Sequence, residues 1–310
     1  MRQGKVYKST GNQYLVRDEQ HFWTCILKGK LKIDENITSS NPIAVGDMVE
    51  FEIDNEETRQ GIIKEILPRT NYIVRESPQN RKHQQHIIAS NLDQAIIIAT
   101  LYQPRTSLGF IDRFLVTAEA YHIPALIVFN KSDLYDTEDQ EELDHIRGIY
   151  QRAGYEILLV SAISKDGATV LKEKLKGKSS LLSGHSGVGK SSIINLLNAK
   201  QQIKVREVSE WSGKGKHTTT FAEMMDLPFG GQIIDTPGVK EFGIVNIERE
   251  ELAHYFPEMR TKIPACRFNN CMHLNEPGCA IKAGTEDGSV AIERYESYIS
   301  ILDSIPAHNY

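Results

Sequence analysis

A loop near the middle of the chain has the residue types of a phosphate-binding loop. Its residues are Gly184, His185, Ser186, Gly187, Val188, Gly189, Lys190, Ser191 and Ser192. Glycines let successive backbone N–H groups turn inward towards phosphate oxygens. Lys190 supplies a positive charge at the β- and γ-phosphates, and the Ser191 hydroxyl can ligate Mg²⁺. The pattern predicts a nucleoside triphosphate site. The alternative is a glycine-rich turn without function.

A second motif predicts which base is bound. It follows an apolar strand, and its residues are Asn130, Lys131, Ser132 and Asp133. A carboxylate at Asp133 accepts hydrogen bonds from guanine N1–H and the 2-amino group, and adenine offers neither donor. The companion pair Ser161 and Ala162 follows the next strand, where the Ala162 N–H can reach guanine O6. The alternative is a polar turn in which Asp133 caps a helix.

A third motif, Asp235-Thr236-Pro237-Gly238, also follows an apolar strand. Asp235 can hold Mg²⁺ through water, and the Gly238 N–H can contact the γ-phosphate. Between the phosphate loop and this motif, residues 213–220 include three threonines, and one of them would close onto Mg²⁺ when a triphosphate is bound. Together these are the motifs of a GTPase in rotated order, since the base motifs come first. Permutation is tolerated because the termini of a domain are often close together.

A fourth group predicts a metal site. Three thiols and one imidazole lie within a short stretch, at Cys266, Cys271, His273 and Cys279. Four such ligands suit tetrahedral Zn²⁺ in a closed structural site. The alternative is unrelated core cysteines with a surface histidine. Cys25 stands apart, and we expect a buried thiol there.

The elements that position these motifs follow from hydrophobic patterning. Apolar strands at 95–99, 125–129, 157–160, 181–182 and 232–234 alternate with helical patterns at 111–121, 143–153, 170–175 and 191–197. This alternation predicts a parallel sheet with helices on both faces. The polar residues 71–85 are interpreted as a linker. Residues 246–310 are predicted to be helical around the Cys/His group.

The N-terminal part has a different texture. Strand patterns at 4–16, 22–27, 28–33, 47–53 and 61–67 predict a small β-barrel, either an OB-fold or an SH3-like barrel. Lys28, Lys30 and Lys32 alternate, so they share one strand face that could contact RNA or form a charged edge. We therefore predict a multidomain α/β protein with a barrel at 1–70, a permuted G domain at 71–245 and a zinc-binding helical domain at 246–310.

Composition narrows the class of protein. The chain has 310 residues, a net charge of −5 and 4 cysteines. No broad basic segment marks it as a nucleic-acid binder by charge alone. We expect no signal peptide and no membrane span, and the few cysteines indicate a reducing cytoplasm.

The barrel, the permuted motifs and the Cys/His group together resemble the RsgA family of GTPases that depend on the small ribosomal subunit. The resemblance implies GTP hydrolysis with Mg²⁺, one structural zinc and an OB-fold that contacts ribosomal RNA. It implies the small subunit, its rRNA, GTP and GDP as partners, and late subunit maturation as the role. We expect a monomer.

Hydrolysis needs a group that orients water. Many GTPases carry a Gln after Asp-x-x-Gly, but Val239 stands there. His217, in the threonine-rich loop, is the nearest candidate, and the resemblance also favours it over a solvated loop histidine. Ser191 is the predicted direct magnesium ligand, and Thr219 is expected to join it in the GTP state. The choice of Thr219 over the neighbouring threonines rests on the resemblance. Two other functions stay open: a GTP-gated RNA-binding switch with incidental turnover, and a metabolic P-loop kinase or ATPase.

Overall fold

The structure is a computed structural model that describes residues 1–28, 42–76, 85–198, 222–236 and 247–306. The chain folds into two compact units. The first comprises Met1–Ala95, Val170–Ser183 and Lys190–Val239, and the second comprises Ile96–Thr169, Gly184–Gly189 and Lys240–Tyr310. The chain therefore changes unit inside the predicted G domain, whose limits at 71 and 245 stay a prediction.

The N-terminal strands of the first unit close into a barrel. They are β1 (Arg2–Ser9), β2 (Tyr14–Arg17), β3 (Phe22–Leu27), β4 (Met48–Asn55) and β5 (Gln60–Ile66). The pairing runs β1-β2-β3-β5-β4 and closes from β4 to β1, with β3 and β5 parallel and the other pairs antiparallel. A crossover that makes β3 and β5 parallel gives the Greek-key barrel of an OB-fold and rules out a simple antiparallel meander.

Alternation explains how these strands build the barrel core. Buried side chains from every strand meet inside, and among them are Val6, Val16, Trp23, Phe51 and Ile63. The pattern at 4–16 is divided into two strands by the turn after Ser9, where Gly11 has φ +88°. Of the strand predicted at 28–33, residues 29–33 lie outside the described residues.

The predicted linker at 71–85 was wrong in part. Strand β6 (Tyr72–Glu76) pairs antiparallel with β7 (Gln85–Ser90). The prediction missed a short apolar segment among the polar residues, in which Ile73 and Val74 are buried. Gly46, at φ +96°, passes so close to Ser90 that an added Cβ would lie 2.1 Å from its carbonyl oxygen. This approach fixes the hairpin against the barrel.

The rest of the first unit carries the phosphate end of the site. Strands β11 (Ser179–Ser183) and β13 (Gln232–Asp235) run parallel, as predicted, and helix α4 (Lys190–Leu197) starts at the phosphate-loop lysine. Strand β12 (Glu223–Asp226), which the sequence analysis missed, lies antiparallel between β13 and barrel strand β1. The barrel sheet thereby continues into the strand that ends at Asp235.

The second unit positions the base motifs. Strand β8 (Gln94–Ala99) begins in the first unit and continues into the second, beside β9 (Ala125–Phe129) and β10 (Glu156–Leu159). The intervening helices are α1 (Leu108–Ala120) and α2 (Thr137–Arg152), and α3 (Ala168–Leu175) follows β10. Helix α2 starts earlier than predicted because Asp136 forms a capping box with Asp139.

Helices of the C-terminal part complete the second unit. They are α5 (Pro257–Arg260), α6 (Ala280–Glu286) and α7 (Ile292–Ser304), and their core includes Val116 of α1. The buried Arg294 guanidinium binds Asp112 of α1 at 2.8 Å and Glu258 of α5 at 2.7 Å. Removal of one partner from such a buried pair costs about 3–5 kcal/mol, so this contact fixes α7 against α1. None of the described helices is long and apolar enough to cross a membrane.

Candidate active site and metal centre

The predicted base-recognition loop is built by its own polar contacts. Residues Ser132–Leu134 form a short 3₁₀ turn, entered through Lys131 at φ +65°. The Ser161 hydroxyl donates to the Asp133 carboxylate, which leaves that exposed carboxylate aimed by a neighbour from the companion motif. The cap of α2 is Asp136, so the alternative that Asp133 caps a helix is wrong. The loop thus presents a fixed acceptor, as guanine recognition requires.

Asn130 ties this loop to the phosphate loop. Its side-chain amide donates to the Val188 carbonyl at 2.8 Å, and its side-chain oxygen accepts from the Ala162 N–H at 3.3 Å. The residue is buried, and a Cβ added to Gly189 would lie 2.3 Å from its amide nitrogen. Only glycine lets the backbone come this close. One side chain therefore brings together three motifs that are far apart in sequence.

The phosphate loop has the backbone shape that the glycines predict. Gly184, Gly187 and Gly189 have φ values of +147°, +89° and +92°. Such values cost a non-glycine residue strain, so the curled loop depends on these positions. The His185 ring stacks on Phe110 of α1, with ring centroids 3.6 Å apart. Ser186 is exposed beside it.

Three residues that sequence reasoning missed support the base loop or the phosphate loop. The Tyr135 hydroxyl donates to the Asn130 carbonyl at 2.5 Å and accepts from the Leu101 N–H at 3.2 Å. The Lys131 ammonium donates to the Gln103 carbonyl, in the segment between β8 and α1. Phe110 supports the phosphate loop through His185. No spacing in the sequence signals the contacts of Leu101, Gln103 and Phe110, because each of them lies far in sequence from the residue that it contacts.

Lys190 and Asp235, the predicted phosphate and magnesium residues, both lie in the first unit. Burial raises the pKa of Asp235 and the Lys190 ammonium opposes that rise, while Glu223 adds to it. Burial also lowers the pKa of Lys190, and Asp235 opposes that change. One carboxylate oxygen of Asp235 is buried without a hydrogen-bond partner among the described residues. A buried, unpaired oxygen beside a cation fits the water shell of a magnesium ion.

Other predicted residues divide into two groups. Ser191 and Ser192 lie in the first turn of α4, where the N-terminal N–H groups of a helix can bind an anion. Thr236 follows Asp235 and donates to the Leu182 carbonyl at 3.3 Å. His217, Thr219 and Gly238 lie outside the described residues, as do Lys30 and Lys32. Their roles stay predictions.

The four predicted metal ligands come together. The ligand atoms of Cys266, Cys271, His273 and Cys279 all lie within 4.8 Å of one another. His273 Nδ1 is 3.4 Å from Cys279 Sγ and 3.7 Å from Cys266 Sγ. Burial lowers the pKa of His273, which keeps the imidazole neutral for coordination. The group can hold a metal ion, so the alternative of unrelated residues is excluded.

The metal loop is held by side chains that the sequence analysis did not identify. Glu276 accepts hydrogen bonds from the Met272 and Leu274 N–H groups, both at 2.8 Å. On α7, Tyr295 donates to the His273 carbonyl at 2.6 Å and Tyr298 donates to the Met272 carbonyl at 2.8 Å. These contacts fix a loop in which His273 itself has φ +61°. Cys25 is buried in the barrel, where burial raises its pKa to about 12, as expected of an unreactive thiol.

The fold and the site define a class of protein: a P-loop GTPase whose base motifs precede its phosphate loop, joined to an OB-fold and a Cys/His metal group. Comparison with known families supports this class. Residues 66–245 match the RsgA GTPase model, and residues 3–63 match the RsgA N-terminal domain model. The chain belongs to the RsgA GTPase family and is a GTP-hydrolysing enzyme.

Individual relatives agree over nearly the full length. The chain is 48% identical over 97% of its length, and 96% of the relative's, to "Small ribosomal subunit biogenesis GTPase RsgA" of Christiangramia forsetii. A protein of the same name from Flavobacterium psychrophilum is 49% identical, over 97% of this chain and 92% of that protein.

Solved structures give the same result for the fold. The crystal structure of YjeQ from Thermotoga maritima is 37% identical, has a TM-score of 0.76 and covers 98% of both chains. The crystal structure of YloQ, described as a circularly permuted GTPase, is 29% identical with a TM-score of 0.73, over 99% of this chain and 97% of that one. The expected circular permutation is therefore confirmed.

Proposed function

We propose that this chain binds the small ribosomal subunit, assists its late maturation, and uses GTP hydrolysis to time its release. The observation that carries the enzymatic part is Asn130, which ties the guanine motif to the phosphate loop by a 2.8 Å hydrogen bond. The relatives are small ribosomal subunit biogenesis GTPases, which supports the ribosomal part. The parallel β3–β5 pairing supports an OB-fold, a fold that commonly binds nucleic acid.

Within the proposed site, GTP is read at both ends. Asp133 accepts from guanine, Ala162 N–H lies at the base, and Lys131 lines the base face. Lys190 and the N-terminus of α4 bind the phosphates, with the hydroxyl of Ser191 on Mg²⁺. Ser191 and Asp235 would hold magnesium, which when bound would neutralise charge that develops on the phosphates in the transition state. Asp235 would hold that ion through water, which its unpaired oxygen supports.

Hydrolysis requires a water in line with the γ-phosphate. Val239 has no group to orient it, so we assign this role to His217, with Thr219 on the magnesium ion in the GTP state and Gly238 N–H at the γ-phosphate. Turnover by the free protein is then slow, since the catalytic histidine lies in a glycine- and threonine-rich loop. Binding to the subunit would place His217 at the attacking water and accelerate hydrolysis.

The test is GTP turnover by the full chain with and without isolated small subunits. We expect strong stimulation by small subunits and none by large subunits. His217→Ala should keep GTP binding and lose the stimulated rate. Equal turnover with and without subunits would reject the timing role and favour the alternative, an RNA-binding switch in which hydrolysis is incidental. Competition by ATP as effective as by GTP would reject guanine specificity.

The metal group is assigned to one structural Zn²⁺, because three thiolates and an imidazole suit tetrahedral zinc. Elemental analysis of the purified chain should find about one zinc per chain. Replacement by Co²⁺ should give the visible absorption of a tetrahedral thiolate site, and Cys271→Ser should abolish it. Iron in place of zinc in freshly purified protein would contradict the assignment. A monomer in solution is checked by light scattering on the same sample.

A further inference from the structure

Three neighbouring strands of the first unit carry a row of charged residues. Lys8 of β1 lies opposite Glu223 of β12, and Glu223 lies opposite Asp235 of β13. Residues directly opposite in antiparallel strands point to the same face, with Cβ atoms about 5 Å apart. The row thus runs from a barrel cation, Lys8, through the Glu223 carboxylate to a second carboxylate, the candidate magnesium ligand Asp235.

The contacts along this row are electrostatic and close. The Lys8 ammonium lies 3.2 Å from the Glu223 carboxylate, with the two side chains 40% and 51% exposed. Glu223 in turn acts on Asp235 as a like charge, against the attraction of Lys190. The Lys8 ammonium therefore neutralises part of the Glu223 charge that would otherwise act on Asp235. Neither Lys8 nor Glu223 belongs to a GTPase motif.

We propose that Glu223 is a positioning residue that adds negative charge at the phosphate end of the site, and that Lys8 of the barrel controls how much of that charge acts there. The inference rests on the proposed function, because it needs magnesium and phosphates at Asp235. Its core is one juxtaposition: Lys8 of the barrel strand β1 lies opposite Glu223 of β12, which lies opposite Asp235 of β13.

The charges predict effects of opposite sign on two ligands. The Glu223 carboxylate attracts Mg²⁺ and repels nucleotide that carries no magnesium. Lys8 partly cancels both effects. Charges at this separation in a partly solvated setting change an affinity by about threefold to tenfold. An RNA phosphate that draws Lys8 away from Glu223 would act as the loss of Lys8 does, so RNA binding at the barrel would tighten the hold on Mg²⁺.

The experiment measures binding of a fluorescent GDP to the full chain in low salt. One series is made in metal-depleted buffer without chelator, which leaves a structural metal in place, and a second series titrates Mg²⁺. We expect Glu223→Gln to weaken Mg²⁺ about threefold to tenfold and to tighten magnesium-free GDP. Lys8→Gln should do the reverse on both. High salt should shrink all four changes, because exposed charges are screened.

A matched ion pair on the same barrel supplies the control. Lys64 of β5 and Glu52 of β4 lie 2.8 Å apart, with their side chains 41% and 51% exposed, and neither strand pairs with β12 or β13. Lys64→Gln and Glu52→Gln should change neither affinity. Misfolding cannot mimic the expected result, because it would not tighten one ligand while weakening the other.

Asp235→Asn distinguishes the proposed magnesium site from the proposed influence of Glu223 and Lys8 on that site. One outcome is that Asp235→Asn abolishes the magnesium dependence of GDP binding while Lys8→Gln and Glu223→Gln leave both affinities unchanged or shift them in the same direction. In that case the proposed magnesium site stands and the inference about Lys8 and Glu223 is overturned. If Asp235→Asn leaves the magnesium dependence intact, both are overturned. A loss with Asp235→Asn together with opposite shifts at Lys8 and Glu223 supports both.

Discussion

The base end and the phosphate end of the candidate site differ in what completes them. At the base end, Asn130 uses both atoms of its side-chain amide and its backbone carbonyl within the protein, and Asp133 is aimed by Ser161. At the phosphate end, Asp235 keeps a buried oxygen that no described residue satisfies. The polar groups of the base motif are thus paired within the protein, whereas Asp235 keeps one oxygen that a further partner could satisfy.

This difference separates specificity from affinity. A preordered polar loop can reject a wrong base, because the wrong base leaves fixed groups unpaired. Charged groups at the phosphate end bind their ligand by electrostatic attraction. Their contribution to affinity should therefore depend on the number of phosphates, on magnesium and on salt. Substitutions at the two ends should therefore change different properties, and the following predictions test that separation from the largest effect to the smallest.

The largest effect is expected for Asp133→Asn. An amide cannot accept from both guanine donors, so GTP affinity should fall by about a thousandfold or more. Xanthine carries an oxygen where guanine carries the 2-amino group, so the new amide can donate to it and xanthosine nucleotides should bind instead. Competition against fluorescent GDP and its xanthine analogue measures both. A variant that binds neither guanine nor xanthine nucleotides would show that the loop had collapsed and that the base end is not preordered.

Lys190→Ala should act only at the other end. Hydrogen bonds to charged groups contribute about 1.5–3 kcal/mol, so GDP and GTP affinity should fall by roughly tenfold to a hundredfold. Guanosine, which has no phosphate, should bind as it does to the unchanged protein. Calorimetric titration with guanosine and GDP makes the comparison. Weaker guanosine binding would mean that the two ends are not separable.

The sequence predicted the two ends unequally well. Local chemistry marks Asp133 and Lys190, since a motif beside an apolar strand defines each one. The same patterning predicted α4, β9 and β13 to within a few residues. Contacts made through space cannot be identified in this way. Gln103 and Phe110 lie far in sequence from the motif residues that they contact, and Tyr135 follows Asp133 without matching a motif, so only the fold shows what these residues do.

Strand β12 shows why the rest could not be predicted. Its four residues, Glu223 to Asp226, alternate too briefly to stand out from a loop. Their strand conformation depends on pairing with β1 and β13, which are distant in the sequence. The hairpin β6–β7 escaped for a similar reason, because Ile73 and Val74 are a short apolar segment among polar residues. Long-range pairing, rather than local propensity, decides such strands.

Asn130→Ala should affect both ends, because Asn130 contacts both motifs. The change leaves the Val188 carbonyl and the Ala162 N–H without this partner, and an unsatisfied buried group costs about 1–3 kcal/mol. Affinity for guanosine and for GDP should both fall by about tenfold. This shared loss distinguishes Asn130 from Asp133 and Lys190. If GDP weakened and guanosine did not, the link between the motifs would serve the phosphate loop alone.

The smallest effect is expected for Tyr135→Phe, which removes one hydroxyl and keeps the ring. That hydroxyl holds the Asn130 carbonyl and accepts from the Leu101 N–H. A net hydrogen bond contributes about 0.5–1.5 kcal/mol, so guanosine and GDP should each bind about threefold more weakly. The expected loss is equal for both ligands because Tyr135 supports the base end only.

Tyr255→Phe is the matched control for that variant, since its hydroxyl bonds to the exposed Glu251 at 3.4 Å among the C-terminal helices. It should leave both affinities unchanged. A Tyr135→Phe protein that bound guanosine normally and GDP poorly would contradict the assignment of this tyrosine to the base end. It would mean instead that the order of the base loop is transmitted through Asn130 to Val188, so that preorganisation at one end also sets the geometry of the other.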